Sequence, residues 1–596
     1  DSSSSVESND DALAILYQRI PVARDIVDDP EILRSVLNIF FHVNSLEELS
    51  TKLNMDTNRN DFKFYEFDRI PVKIDFDFDQ SIKIKENIIS LRYWTLSMYN
   101  KLIKEILINY TVKKHENLDY FWTISVSKSN KNEGLYLQQV IKPAHSMNTE
   151  LKFRFINQIL MNDIQKSEKL SLSFNRFDAR KFFDNLNQPK STTNSNIKVH
   201  PLFNQFMDQV SPSELYKLRS HREKPFKAEL IGEGAIDEGG PAREVFSELI
   251  IEMMNNNIGI FTFNPNHRHT IIDTNQEDLI PNIHYNKTCQ KDPIQDFKKN
   301  RFLYAGALIA VCIVSDLPQQ MKLASFIWEY LATNKIQSIE SIYEIDEEFK
   351  ILIKVAENYK QQLESSQITE DEFNRVFMQT FTIKNSFDEQ IELVSSGSNK
   401  NVTKEKLSQF IELAKDARLH EFDSCLSELK KGFDIIMTNK EIISILNPSE
   451  LKLLACGEPN CPIEQMKNLF DVTVNPSKSH EDDFDDYSVK MITMFWNVME
   501  SLSTDERIGF IKFSSGTNGL PAVGLRWENN LSVIICSKEE RQRTGKILPE
   551  AHTCFFSVDI KYFESEEELA RSIRTAIKEG LISDGNDIPN GIENLI

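Results

Sequence analysis

A cysteine does covalent chemistry as a reachable thiolate, so the surroundings of the seven cysteines are read first. Cys554 stands out, in the segment LPEAHTCFFSVDI. Pro549 ends one element and a β-prone run starts near Thr553, which predicts Cys554 at the mouth of a strand. Polar His552 and Thr553 flank it, and His552 is near enough in sequence to bias the thiol toward thiolate. A cysteine inside a strand is more commonly a small core residue, so the residues alone leave an inert and a reactive reading open.

Two other groupings support a chemical reading poorly. Gly232, Gly234, Gly239 and Gly240 make a Gly-rich turn, but their spacing fits neither the P-loop nor the dinucleotide fingerprint. Glu233, Asp237 and Glu238 lie in the same turn and would repel a phosphate, so a tight turn that seats a helix is expected. Cys456 and Cys461 have no second Cys/His pair nearby, and His552 with Cys554 supplies two ligands at most. A structural zinc site needs four, so no metal is expected, and no other cofactor.

These residues need elements to hold them. FKAEL at 226–230 reads as a short strand. After it, Pro241 suits a first helical turn, and Val245, Phe246, Leu249, Ile250 and Met253 recur at the spacing of a buried helix face. Apolar periodicity predicts further helices at about 301–314, 321–332, 346–362, 404–416 and 421–437. CGEPNCP at 456–462 breaks that pattern. The remainder mixes a helix around Trp496, strands LSVIIC and HTCFFSVDI, and a closing helix at about 566–579. Upstream, Val72, Ile74, Phe76 and Phe78 alternate with charged residues as in a half-buried strand. Leu91, Trp94, Tyr99, Leu102, Ile103 and Ile106 stripe a helix face suited to core packing, and NLNQPKSTTNSN at 185–196 reads as a linker.

Composition narrows the function classes. A net charge of -21 argues against nucleic acid as the main ligand, since phosphate binding needs a basic footprint. No apolar run reaches the length of a membrane span. The opening DSSSSVESNDD lacks the basic and apolar regions of a signal peptide and reads as a polar linker, as if cut from a longer chain. An odd number of scattered cysteines fits reduced thiols, and so the cytoplasm or the nucleus.

The order of several segments resembles one family. GEGAIDEGGPAREVF, RFLYAGALIAVCI, FIWEYL, IYEIDEEF, ELVSSGSNKNVTKEKLSQFIEL, LNPSELKLLACGE, MFWNVMESLSTDERIGFIKFSSGTNGLPAVG and LPEAHTCFFSVDIKYFESEEELARSIRTAI occur in sequence. They are similar to successive landmarks of HECT-domain ubiquitin ligases, from about residue 200 to 580. Departures are Gly519, where the family often has arginine, Glu238, where it often has an aromatic, and the lack of a Phe after Phe563.

The resemblance implies an α+β, bilobal fold: a mostly helical large lobe at 199–457, a hinge at 458–462 and a smaller α/β C-terminal lobe at 463–596. A conjugating-enzyme-binding subdomain is expected at about 334–402, and a mixed, largely helical N-terminal extension of unknown role at 1–198. Cys554 then falls on the family's thioester-forming cysteine, with His552 and Thr553 supporting it. Phe349, Ile353, Ala356, Tyr359, Phe377 and Met378 are expected to line an apolar groove for the conjugating enzyme, the alternative being that they pack the subdomain core. Gly457, Glu458 and Pro459 are the expected pivot. The implied partners are ubiquitin, a ubiquitin-conjugating enzyme and a protein substrate. Two rival readings are an inactive HECT-like scaffold and another cysteine enzyme, though the latter needs a base and an orienting residue that carry no signature here.

Overall fold

The computed structural model describes residues 149–163, 169–187, 200–219, 224–233, 240–268, 275–284, 300–438, 443, 445–476, 484–527 and 529–583. The chain divides into two compact units, Asp1–Asp163 and Ile164–Ile596. In the first, helix α1 (Thr149–Asp163) buries Phe153, Ile156 and Leu160 at helical spacing. The strand expected at Val72–Phe78 and the stripe from Leu91 to Ile106 lie outside the described residues.

The second unit begins upstream of the boundary expected at 198/199. Strand β1 (Ser171–Phe174) leads into helix α2 (Arg176–Asn187), and α3 (Leu202–Gln209) precedes β2 (Lys227–Leu230). β1 and β2 pair in parallel, with Leu172 opposite Ala228 and Phe174 opposite Leu230, all four buried. Two parallel strands need a long crossover, and most of the polar stretch at 185–196 lies outside the described residues.

Helix α4 (Gly240–Met254) buries the expected face of Val245, Phe246, Leu249, Ile250 and Met253. Arg243, Ser247, Glu248 and Glu252 are buried as well, because other elements pack against its remaining sides. The carboxylate of Glu252 accepts the Phe203 N–H at the start of α3, at 2.8 Å. Burial pushes that carboxyl up to about 7.

A hairpin of β3 (Phe261–Phe263) and β4 (Leu279–Pro281) is followed by α5 (Arg301–Val314) and α6 (Ser325–Thr333). Helix α6 starts later than its apolar pattern suggests, since Leu323 bridges to Leu279 in extended form. Next come α7 (Glu347–Glu364), α8 (Glu370–Val376), the paired strands β5 (Thr382–Lys384) and β6 (Gln390–Glu392), α9 (Leu407–Leu419), α10 (Asp423–Ile436) and α11 (Pro448–Cys456). Local signals set their ends. Asp346 caps α7 through the Phe349 N–H, and Thr369 with Glu372, then Asn447 with Glu450, form capping boxes on α8 and α11.

Two buried features hold this helical body. Helices α5 and α10 meet at Gly306 and Gly432: a Cβ at Gly306 would lie 1.8 Å from the Leu429 carbonyl oxygen, and one at Gly432 would lie 1.7 Å from that of Leu303. Arg418 on α9 is fully buried and bonds Asp346 at 2.7 Å, Glu421 at 2.8 Å and the Ser386 hydroxyl at 2.8 Å, with its guanidinium over the Phe349 ring. It thereby pins the start of α7 and the turn after β5 to α9.

The C-terminal body contains α12 (Ile463–Leu469), β7 (Phe470–Val474), α13 (Phe484–Ser501), α14 (Thr504–Ser515), β8 (Leu531–Ile535), α15 (Lys538–Thr544), β9 (Glu550–His552), β10 (Ser557–Ile560) and α16 (Glu566–Ser583). Its sheet has the order β7-β8-β10-β9, parallel except for the β9–β10 hairpin. Phe495, Phe510, Leu531, Val533, Val558, Ile560 and Ile573 lie in one core between sheet and helices. No described helix is long and apolar enough to cross a membrane.

The glycine contact yields a direct expectation. Gly306→Ala forces a methyl group into the backbone of α10, and overpacking of this kind costs about 1–3 kcal/mol or more. Thermal melting should show a Tm lowered by several degrees; an unchanged Tm would mean that the two helices separate freely to admit it.

Candidate active site

Cys554 sits in the turn of a hairpin, not at the mouth of one continuous strand. β9 ends at His552, Thr553–Phe555 form a single 3-10 turn, and Phe556 adopts φ +53 before β10 begins. The expected strand over HTCFFSVDI is therefore split, and strand alternation does not relate His552 to Cys554. The turn is anchored from below: Phe556 is buried against Trp527, with ring centroids 5.0 Å apart, and its carbonyl accepts the Ser532 N–H at 3.0 Å. Phe555 is instead 79% exposed, so the turn itself stands at the surface. His552 pairs with Ser557 across the hairpin, and its Nε2 lies 3.4 Å from the carboxylate of Asp559.

The helical body holds this turn through adjacent residues of α4. Arg243 donates to the Thr553 carbonyl through Nη2 and to the Ser515 carbonyl through Nε at 3.3 Å, and its guanidinium lies 5.5 Å from the Phe556 ring centroid. The Thr553 hydroxyl donates to Glu244 at 2.9 Å, and the Ser247 hydroxyl donates to the Gly516 carbonyl at 2.9 Å. Gly516 closes α14 with φ +74, and a Cβ there would lie 3.3 Å from Glu244 Cγ. Glu244 is in turn held by Arg176, which also meets Glu248 and Glu233. Burial opposes the charge on Arg176, but the three carboxylates outweigh it and hold the guanidinium charged above its usual range.

The segment between α11 and α12 is also packed in place. The Gly457 N–H donates to the Leu453 carbonyl at 2.8 Å and the Glu458 N–H to Leu520 at 3.2 Å, while the Val523 N–H donates to the Glu458 carboxylate at 3.1 Å. Gln320 Nε2 donates to the Cys456 carbonyl at 2.9 Å. A Cβ at Gly519 would lie 3.2 Å from that same carbonyl, so an arginine there would have to displace it.

The expected groove residues separate into two groups. Phe349, Ile353, Ala356 and Phe377 are buried, Tyr359 is half-buried and Met378 is 83% exposed. Tyr359, Phe373 and Phe377 form an aromatic cluster, with Phe410 against Phe377. The buried four face inward at helical spacing or within this cluster, and Arg418 and Phe410 of α9 pack against Phe349 and Phe377. Tyr359, Met378 and the exposed Val376 remain at the surface.

Among the described cysteines, Cys312, Cys425, Cys456, Cys461 and Cys536 are all buried. Burial pushes the thiols of Cys456, Cys461 and Cys536 up to about 12 and that of Cys425 to about 11. Such thiols are poor nucleophiles near neutral pH. Arg176, Glu244 and Gln320 were not identified from the sequence. Arg243 and Glu244 had one available signal, as adjacent charges in the first turns of a helix with a buried apolar face; Arg176 had none.

Residues 247–583 match the sequence model of the HECT-domain (ubiquitin-transferase) family. The chain belongs to the HECT-domain family. Relatives include E3 ubiquitin-protein ligase HERC2 of Mus musculus, 25% identical over 373 residues that cover 62% of this chain and 7% of the relative. E3 ubiquitin-protein ligase NEDD4 of Homo sapiens is 26% identical over 367 residues, or 60% of this chain and 25% of the relative. Probable E3 ubiquitin-protein ligase TOM1 of Eremothecium gossypii is 26% identical over 364 residues, or 59% and 10%. The chain thus spans a quarter or less of the length of these relatives. The HECT match starts within α4, so Arg176, Arg243 and Glu244 lie just outside it.

Gly457 has φ +75 and ψ -169, a region essentially restricted to glycine, and a Cβ there would lie 2.0 Å from the Leu520 carbonyl oxygen. Gly457→Ala is therefore expected to lower the Tm and to raise proteolysis between the two bodies. Equal Tm and equal cleavage would show that the connection is not held in this form. Prolines at 457 and 458 would remove two hydrogen bonds as well as fix φ, so they would disrupt the joint rather than simply stiffen it.

Proposed function

We propose that this chain is a ubiquitin-protein ligase that accepts ubiquitin from a conjugating enzyme as a thioester on Cys554 and transfers it to a substrate lysine. The observation that carries this reading is the position of Cys554 in a surface hairpin turn, while the other described cysteines are buried with raised thiols. The family supports it, since the relatives are named as ubiquitin-protein ligases.

The chemistry is covalent catalysis in two acyl transfers. The Cys554 thiolate attacks the carbonyl carbon of ubiquitin's C-terminal glycine on the conjugating enzyme. A new C–S bond forms, the old one breaks, and the conjugating enzyme's sulfur leaves as thiolate. The substrate amine then attacks the new thioester, an amide forms, Cys554 leaves as thiolate and the amine loses a proton. Exchanging one thioester for another is close to neutral in energy, so positioning carries the first step. No cofactor is required by this sequence of bonds.

On this reading residues 199–457 act as the large lobe, extended upstream by 169–187, with 458–462 as hinge and 463–596 as the small catalytic lobe. The segment 334–402 receives the conjugating enzyme on the surface around Tyr359, Val376 and Met378. Ubiquitin, a conjugating enzyme and a protein substrate are the partners.

Two experiments test the proposal. With activating enzyme, conjugating enzyme, ATP and ubiquitin, the chain should form an adduct that survives a non-reducing gel and disappears with thiol reductant. Cys554→Ala should abolish it; an equally strong reducible adduct on that variant would contradict the assignment, and a chain that binds its partners without forming an adduct would be a scaffold. For the docking surface, Met378→Ala should slow loading at unchanged Tm. Phe349→Ala should instead lower the Tm, since loss of a buried aromatic costs about 3–5 kcal/mol. Normal loading by the Met378 variant would move the docking surface elsewhere.

A further inference from the structure

The active-site turn is held by a chain of polar contacts that begins outside the HECT match. Arg176 opens α2, with Asn175 between it and β1, and its side chain is nearly buried. It holds Glu244 at 2.9 Å, Glu248 at 3.1 Å and Glu233 at 3.4 Å. Glu244 accepts the Thr553 hydroxyl at 2.9 Å, one residue from Cys554. We infer that Arg176 is a positioning residue for the Cys554 turn, acting through Glu244 and the Thr553 hydroxyl. The inference rests on the reading of Cys554 as the ubiquitin acceptor.

The physical argument has three parts. A carboxylate with two oxygens and a free rotamer is a poor clamp, but one fixed by a planar guanidinium has a defined direction. Arg176 meets three carboxylates through a planar fork with fixed donor directions, whereas a lysine ammonium is a compact charge whose donors rotate. The hydrogen bond it directs ends on the residue next to Cys554, so it limits the orientations the turn samples.

This clamp also favours one of the two chemical steps. Its members belong to α2, α4 and, with Glu233, the turn after β2, not to the 334–402 segment that receives the conjugating enzyme on our reading. The partners of the turn are Arg243, Glu244 and Trp527, none of them in that segment, so on our reading the turn leaves α4 to reach a sulfur held there. Transfer to lysine is the step served while the turn rests on α4. The clamp therefore raises the rate of discharge more than the rate of loading.

The test is a double-mutant cycle on the full chain, with Arg176→Lys, Thr553→Val and the two combined. Loading of Cys554 and single-turnover discharge of its thioester to free lysine are timed separately, and Tm is measured for each variant. Thr553→Val should slow discharge about tenfold, as expected for a lost hydrogen bond to a charged acceptor, and slow loading less. Thr553→Ser, which keeps the hydroxyl, should recover most of the discharge rate, an outcome that a purely packing role for the methyl group does not give. Arg176→Lys should slow discharge several-fold alone and add little in the Thr553→Val background. Additive effects of the two substitutions, or equal slowing of loading and discharge, would overturn the inference while leaving Cys554 as the acceptor. Failure of the parent chain to form any thioester would overturn the proposed function and this inference with it.

Discussion

The grip of helix α4 on the Thr553 turn is the interaction on which the rest of the site depends. Arg243 and Glu244 are neighbours in sequence, and they hold the backbone carbonyl and the side-chain hydroxyl of one residue. Such a two-point hold fixes direction as well as distance. It works because α4 cannot roll: Val245, Phe246, Leu249, Ile250 and Met253 are buried, and Glu252 and Arg176 tie the helix to α3 and α2. Charged groups inside a protein are costly unless paired and hydrogen-bonded, and here they are. These polar contacts, at the start of the HECT match, are best understood as instruments of position, with the apolar face of α4 supplying the stability.

That arrangement suits chemistry with little intrinsic driving force. On the proposed function, thioester exchange needs a reachable nucleophile and a fixed approach, and different devices of the fold would serve the two. The hairpin lifts the turn away from the sheet, Phe556 and Trp527 secure its base, and burial quiets the described cysteines elsewhere in the chain. The same division appears in the helical body, where Arg418 and the α5–α10 glycine contact fix the scaffold while Met378 is left at the surface.

Periodicity made much of the scaffold legible in the sequence. The apolar face of α4 and the extents of α5 and α7 follow from spacing that one buried side imposes. What periodicity could not show were contacts between segments distant in the chain. β1 and β2 pair across more than fifty residues, a separation that no local pattern announces. The turn at Cys554 was hidden because Thr, Cys and Phe all favour strands, and the break comes from Phe556 in a left-handed conformation that tertiary packing against Trp527 stabilises. Phe349 and Ile353 had the helical spacing of a stripe, but a stripe does not reveal whether it meets solvent or core. Gly457 was readable as a position of unusual backbone freedom, yet in the fold that freedom is spent on one packed conformation.

The most direct measurement is to locate the acyl group itself. The ubiquitin-loaded chain would be quenched in acid, digested at low pH to preserve thioesters, and its cysteine peptides analysed by mass spectrometry. The account predicts a ubiquitin C-terminal remnant on the peptide containing Cys554, released by hydroxylamine, with the peptides of Cys312, Cys425, Cys456, Cys461 and Cys536 unmodified. A remnant on any of those five peptides or on that of Cys289, with the Cys554 peptide bare, would contradict it.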